Sequence, residues 1–326
     1  MWIKSIRGTK SLTYRILQHP VPIPVIIFVF VFITYLKHLR DPEFADYDPT
    51  PSTTPSIRQV IQDVYVSPAA QRLPKSGNLF CFVTTIPKYH TTKAQTVADT
   101  WLRRCDHGEL FTSNSSGLQD HVPYRTLYRN LNDSYAQLFW KSKISLFYVF
   151  KHISSEFDWY LKADDDTYVV IENLRSYLSS FDPSKPHYIG FRMKPYLKDG
   201  YNSGGAGYVL SRATMRVFAE FLYDDESLCK FNEFEDVGIG ECLANAGIYP
   251  TISSDAEGRQ RFLPYDFQQV YEGMLPEKEA EYWFKERPKK GNDAFSPDLI
   301  SIHHLTPESM RAVEVSLYKI RLLPST

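Results

Sequence analysis

The chain has 326 residues, 43% of them apolar and 23% charged, with a formal net charge of -1. That length and composition suit one large globular domain with non-globular extensions, and the near-neutral balance offers no basic field, so no nucleic-acid partner is expected. The four cysteines, Cys81, Cys105, Cys229 and Cys242, form no Cys-x-x-Cys or Cys/His cluster, which argues against a zinc centre.

Residues 1–20 carry Lys4, Arg7, Lys10 and Arg15 and no acidic residue, and residues 21–36 are uncharged and rich in Val, Ile and Phe. A positive flank before an apolar span of about 16 residues reads as a cytosolic tail and a transmembrane signal anchor. The following Lys37-His38-Leu39-Arg40 offers no small-x-small cleavage site. Residues 37–77 are rich in Pro, Ser and Thr and read as a lumenal stem, which leaves 78–326 for the folded domain. Asn114-Ser-Ser and Asn132-Asp-Ser are glycosylation sequons. In an oxidising lumen the cysteines are expected to form disulfides, with three pairings possible.

Residues 79–85 form an apolar run that predicts a strand, and 91–104 have helical character. From Tyr135 onwards, Leu138, Phe139, Leu146, Val149, Phe150 and Ile153 recur at three- and four-residue spacing, which predicts an amphipathic helix with one buried stripe. Residues 158–163 predict a buried strand running straight into Asp164, Asp165 and Asp166, and helical spacing resumes over 169–180. Strand, acidic tip, helix is the arrangement of an open α/β sheet, in which ligands collect at the carboxyl ends of strands.

Three adjacent carboxylates repel one another unless a cation offsets the repulsion. Oxygen donors favour Mg, Ca or Mn, an added imidazole moves the preference toward Mn, and such an ion can neutralise a diphosphate leaving group. Residues 200–207 read Gly-Tyr-Asn-Ser-Gly-Gly-Ala-Gly, a segment that permits close backbone approach to a ligand; an apolar strand and a capping Ser211 follow. Glu235 and Asp236 precede a helical stretch that reaches Cys242. They suit the helix dipole and equally suit a general base for a sugar hydroxyl. Residues 299–304 predict a late strand ending in His303 and His304, of which alternation lets at most one face a common site.

Cys81-x-Val-Thr-Thr, Thr100-Trp-x-x-Arg-Cys105, Trp159-Tyr-Leu-Lys-Ala-Asp-Asp-Asp-Thr-Tyr168, Lys194-Pro-Tyr196, the glycine segment with its Tyr-Val-Leu-Ser211, Glu235-Asp-Val-Gly-Ile-Gly240 and Ser301-Ile-His303 run in this order over about residues 78–320. Together they resemble the inverting β-1,3-glycosyltransferases, the family of the fringe proteins and the core 1 β-1,3-galactosyltransferases. The resemblance implies a GT-A type α/β domain that moves galactose from UDP-galactose to O3 of GalNAc on Ser or Thr of a glycoprotein, in the Golgi lumen, on a single-pass type II membrane protein, with homodimerisation a family expectation. It implies Mn held by Asp166 and His303 with Asp164 assisting, and Asp236, with Glu235 beside it, as the catalytic base. Thr84, Thr85, Asp164, Asp165, Tyr201, Gly204 and Gly205 would approach UDP or the donor sugar. Tyr282 and Trp283 would lie near the acceptor, and the disulfides would be Cys81–Cys105 and Cys229–Cys242. A cysteine pair found near the C-terminal third of the core 1 enzymes is absent here, where residues 291–296 read Gly-Asn-Asp-Ala-Phe-Ser. Its absence leaves the placement of Leu275-Pro and Tyr282-Trp-Phe284 open. Two other readings stand beside this one: a family member with a GlcNAc donor, and a non-catalytic lumenal folding partner, against which the intact acidic motifs argue.

Overall fold

Strands that are apolar on both faces need cover on both sides, which parallel sheets receive from flanking helices. The computed structural model describes residues 63–320 and has this arrangement. In chain order its strands are β1 (Ser76–Thr84), β2 (His107–Phe111), β3 (Tyr124–Arg125), β4 (Glu156–Asp164), β5 (Tyr168–Val169), β6 (Tyr188–Gly190), β7 (Arg192–Met193), β8 (Tyr201–Asn202), β9 (Tyr208–Ser211), β10 (Pro250–Thr251), β11 (Phe262–Leu263) and β12 (Ser301–Ile302). Its helices are α1 (Pro68–Gln71), α2 (Gln95–Asp99), α3 (Leu138–Tyr148), α4 (Ile171–Leu178), α5 (Arg212–Val217), α6 (Glu235–Asn245), α7 (Phe267–Glu272), α8 (Glu277–Trp283) and α9 (Pro307–Tyr318).

The main sheet has the order β10-β6-β9-β4-β1-β2-β3. All its pairs are parallel except those of β9, which runs antiparallel to both β4 and β6. The start of β9 therefore lies at the same sheet edge as the ends of β1 and β4, with Tyr208 opposite Lys162 and Thr84 opposite Asp164. Side chains alternate between two cores. Leu79, Cys81, Val83 and Leu161 pack with Trp101, Leu174 and Met310 on one face. Phe80, Phe82, Tyr160 and Leu210 pack with Phe139, Ile144, Phe218 and Leu243 on the other. This is a mixed α/β fold, as expected.

Several expectations change in detail. The stem boundary at 77 falls too late: Val66 already bridges Arg125, and Ser67 caps α1, donates its hydroxyl to Val122 O and stands above the buried Ala70. Residues 91–104 do not form one helix. Thr100 leaves helical geometry with ψ -109, and a short 3-10 turn, Leu102–Arg104, then delivers Cys105 to Cys81. α3 has no single stripe, because it packs against α6 and shares a core with Phe80, Phe82 and Tyr160 of the sheet, so it is buried nearly all round. Its buried Lys141 pairs with Asp133 at 2.6 Å, and its buried Lys143 donates to Cys229 O at 2.9 Å. Both disulfides form as the resemblance implied, Cys81–Cys105 and Cys229–Cys242.

Residues 291–296, where the resemblance to the core 1 enzymes implied a cysteine pair, are held by backbone instead. Gln260 N–H donates to Ala294 O, Ser296 N–H donates to Gln260 O, and Phe295 stacks on Phe267. Nearby, Lys194 N–H donates to Trp283 O and Lys285 N–H to Arg192 O, so the Tyr282-Trp-Phe284 segment is docked along β7 with Phe284 buried against Phe191. The expected membrane span at 21–36 lies outside the described residues, and no helix among those described is long and apolar enough to cross a membrane.

Candidate active site

β4 carries the acidic triplet to the sheet edge, and each carboxylate meets a different partner. Asp164 Oδ1 accepts from Lys162 Nζ at 2.7 Å. Asp165 Oδ2 accepts from Thr85 Oγ1 at 2.6 Å; burial and then the neighbouring Asp166 charge push its carboxyl up to about 7. Asp166 lies 3.0 Å from Lys93 Nζ through one oxygen and 3.0 Å from His303 Nε2 through the other. Burial works against ionisation of Asp166, but His303 and Lys93 outweigh it and hold the carboxyl well below its ordinary range. Burial likewise opposes a charged His303, and the Asp166 contact overturns it, raising the imidazole. The Nδ1 of His303 faces Pro264 O at 3.2 Å, which fixes the ring and leaves Nε2 toward the carboxylate.

Asp166, His303 and His304 each offer one ligand atom, and the three atoms lie within 4.8 Å of one another. A carboxylate with imidazoles is a donor set that suits Mn and related divalent ions, so the residues fit a metal. His304 overturns the expectation that only one histidine faces the site. β12 stops at Ile302, and His304 takes φ 57, so strand alternation no longer governs it and its ring sits 3.9 Å from that of His303.

The glycine segment and the base candidates meet the triplet from the other side. A Cβ on Gly205 would lie 2.0 Å from His303 Cε1, and one on Gly204 would lie 2.5 Å from Glu235 Oε2. These two positions are glycine because an imidazole and a carboxylate press against the backbone there. Asp236, in the first turn of α6, accepts from Gly204 N–H at 3.3 Å and from Val237 N–H at 2.9 Å. Burial and then the charge of Glu235 nevertheless push its carboxyl up to about 6.

Glu235 itself turns inward. Tyr208 donates its hydroxyl to Oε1 at 2.9 Å, and Lys162 Nζ lies 3.6 Å from Oε2. Lys162 thus touches both the triplet, through Asp164, and the base region, through Glu235 and Gly204 O. Thr84 bonds Tyr128 rather than a carboxylate, and Tyr201 is buried beside Gly240.

Aromatic side chains line the approach to Asp236. Tyr196, held at φ 73, stacks on Phe234 at 5.9 Å and meets the edge of Trp283 at 6.2 Å; the exposed Tyr282 lies against Trp283. Tyr135, just ahead of α3, lies close enough to Asp236, Glu235 and Asp164 that these charges add to partial burial and push its hydroxyl up to about 12. Sequence reasoning missed Lys93, Tyr135, Lys162, Tyr196, Phe234 and His304 as site residues. Lys162 alone carried a local signal: a lysine inside an apolar strand, two residues before the triplet.

Residues 75–256, more than half of the chain, match the family model described as Fringe-like. The chain belongs to the Fringe-like family. This fringe-like chain is 35% identical over 257 residues to glycoprotein-N-acetylgalactosamine 3-beta-galactosyltransferase 1 of Xenopus laevis, a match covering 77% of the chain and 69% of that protein. It is 28% identical over 219 residues to chondroitin sulfate synthase 3 of Mus musculus, covering 61% of the chain and 23% of that protein. Against the beta-1,3-glucosyltransferase of Mus musculus it is 27% identical over 183 residues, covering 55% of the chain and 36% of that protein. Like these relatives, the fringe-like chain is a glycosyltransferase.

Proposed function

We propose that the chain is a β-1,3-galactosyltransferase with a GT-A type fold, moving galactose from UDP-galactose to O3 of GalNAc linked to Ser or Thr, with inversion. One observation carries the reading: adjacent glycines join the two poles, Gly204 N–H holding the Asp236 carboxylate and Gly205 seating the His303 ring beside Asp166. A proton acceptor and a metal-type cluster are thereby set at a fixed separation. The 35% identity to a protein named for this transfer supports the choice of sugars.

Asp166 and His303, with His304 beside them and Asp164 assisting, would hold Mn, which when bound would neutralise charge on the departing diphosphate. Asp236 accepts the proton of the acceptor O3 as that oxygen attacks the anomeric carbon from the face opposite the UDP, and a single displacement inverts the centre. Glu235 is a positioning residue, fixed by Tyr208 and Lys162. The wall formed by Tyr196, Phe234, Tyr282 and Trp283 offers ring faces to an acceptor sugar. Two disulfides support an oxidising compartment, in keeping with a type II Golgi protein anchored by residues 21–36 and with its catalytic domain in the lumen.

The purified full-length chain, assayed with UDP-galactose or UDP-GlcNAc against a GalNAc-Thr peptide, tests this. The expected outcome is Mn-dependent transfer of galactose in β-1,3 linkage. Transfer of GlcNAc alone, or galactose in another linkage, would overturn the assignment.

A further inference from the structure

The two sequons stand 18 residues apart in sequence, from 114 to 132, yet the fold brings their loops together. Ser113 donates its hydroxyl to Asp133 Oδ2 at 2.6 Å, so the residue before one asparagine bonds the residue after the other. Lys141 holds the second Asp133 oxygen. The first loop is anchored as well: His90 contacts Thr112 Oγ1 and Ser116 O, and Gly117 turns at φ 78. Both asparagines are exposed. Asn114 accepts the Ser116 N–H through its oxygen at 2.9 Å, which leaves its amide nitrogen, the atom that takes a sugar, without a hydrogen bond among the described residues. Asn132 likewise makes no side-chain hydrogen bond among them. The first loop follows β2, whose last residue, Phe111, accepts from Thr85 N–H, and the second follows β3 and leads into Tyr135. They therefore lie at the end of the sheet where β1 runs into Thr85.

We infer that Asn114 and Asn132 both carry N-linked glycans, set side by side on these joined loops. The inference rests on the lumenal placement proposed above. In each case the asparagine Nδ2 would form a bond to the reducing-end carbon of an oligosaccharide carried on a lipid diphosphate. The carbon–oxygen bond to the diphosphate breaks, Nδ2 loses one proton, and the lipid diphosphate leaves. No hydrogen bond among the described residues joins either asparagine to Asp166, Asp236 or His303, so the glycans are assigned no part in the transfer.

Full-length chain translated in the presence of microsomes provides the test, read by endoglycosidase-sensitive gel shift and, separately, by protease protection. Wild type should lose mobility in two increments. Asn114→Gln and Asn132→Gln should each remove one, and the double variant both. Ser116→Ala and Ser134→Ala, which keep the asparagines but lose the sequons, should repeat the pattern, so a folding defect in one variant cannot mimic the result. A protease-protected chain with no shift, or with one only, overturns the paired sites while leaving the placement intact. An unprotected chain overturns the lumenal placement and this inference with it.

Discussion

Asp236 accepts two backbone N–H bonds at the positive end of a helix, features that ordinarily favour a carboxylate, yet burial beside Glu235 leaves its carboxyl raised to about 6. The raised value makes it a better proton acceptor that is still ionised at neutral pH. Since the acceptor form is lost as protons bind, kcat/KM at saturating metal should fall about tenfold per pH unit below about pH 6. Asp236→Asn should lower kcat by about 10²- to 10⁴-fold and flatten that limb, while calorimetric UDP binding persists. A variant with full turnover would remove Asp236 from the role. Gly205→Ala probes the opposite pole. Its methyl group has no room beside His303, so Mn affinity measured by titration should drop while circular dichroism stays native; unchanged affinity would mean that His303 is not a ligand.

Three elements carry most of the proposed chemistry: β4 ends in the triplet, the turn into β9 supplies the glycines, and α6 opens with the proposed base. All three were legible in sequence. β4 showed as an apolar run meeting acids, and the start of β9 as glycines before Tyr-Val-Leu and a capping serine, which does accept from Thr214 N–H. What closes the site was less legible, because Lys93 and Tyr135 reach it from single helical turns, and Tyr196 and Phe234 from loops, where no sustained period constrains direction. His304 was misjudged for the same reason, as alternation holds only while the strand lasts. α3 misled in another way: its spacing predicted one buried stripe, but even Lys141 and Lys143 are buried, each with a partner supplied from elsewhere. α6 is also stapled, by Cys229–Cys242 across a separation of 13 residues. Replacing both cysteines with serine should lower the unfolding free energy by about 3 kcal/mol, seen as an earlier denaturant midpoint. An unmoved midpoint would mean that the loop is already ordered in the unfolded chain.

At the scale of the whole molecule, the site exists because one strand of the main sheet runs backwards. Only an antiparallel β9 can place its beginning beside the end of β4, and the pairing of Tyr208 with Lys162 then sets where Gly204 and Gly205 fall along that edge. Register in a sheet changes only in steps, and a single-residue slip would turn every side chain to the wrong face. The smallest permitted shift, two residues, would carry the glycines about 7 Å along the strand axis, away from His303 and Glu235. The reach between the proton acceptor and the cation cluster is therefore a gauge length cut by strand pairing. A slip of β9 on β4 would move both glycines together and change that reach by a whole register step.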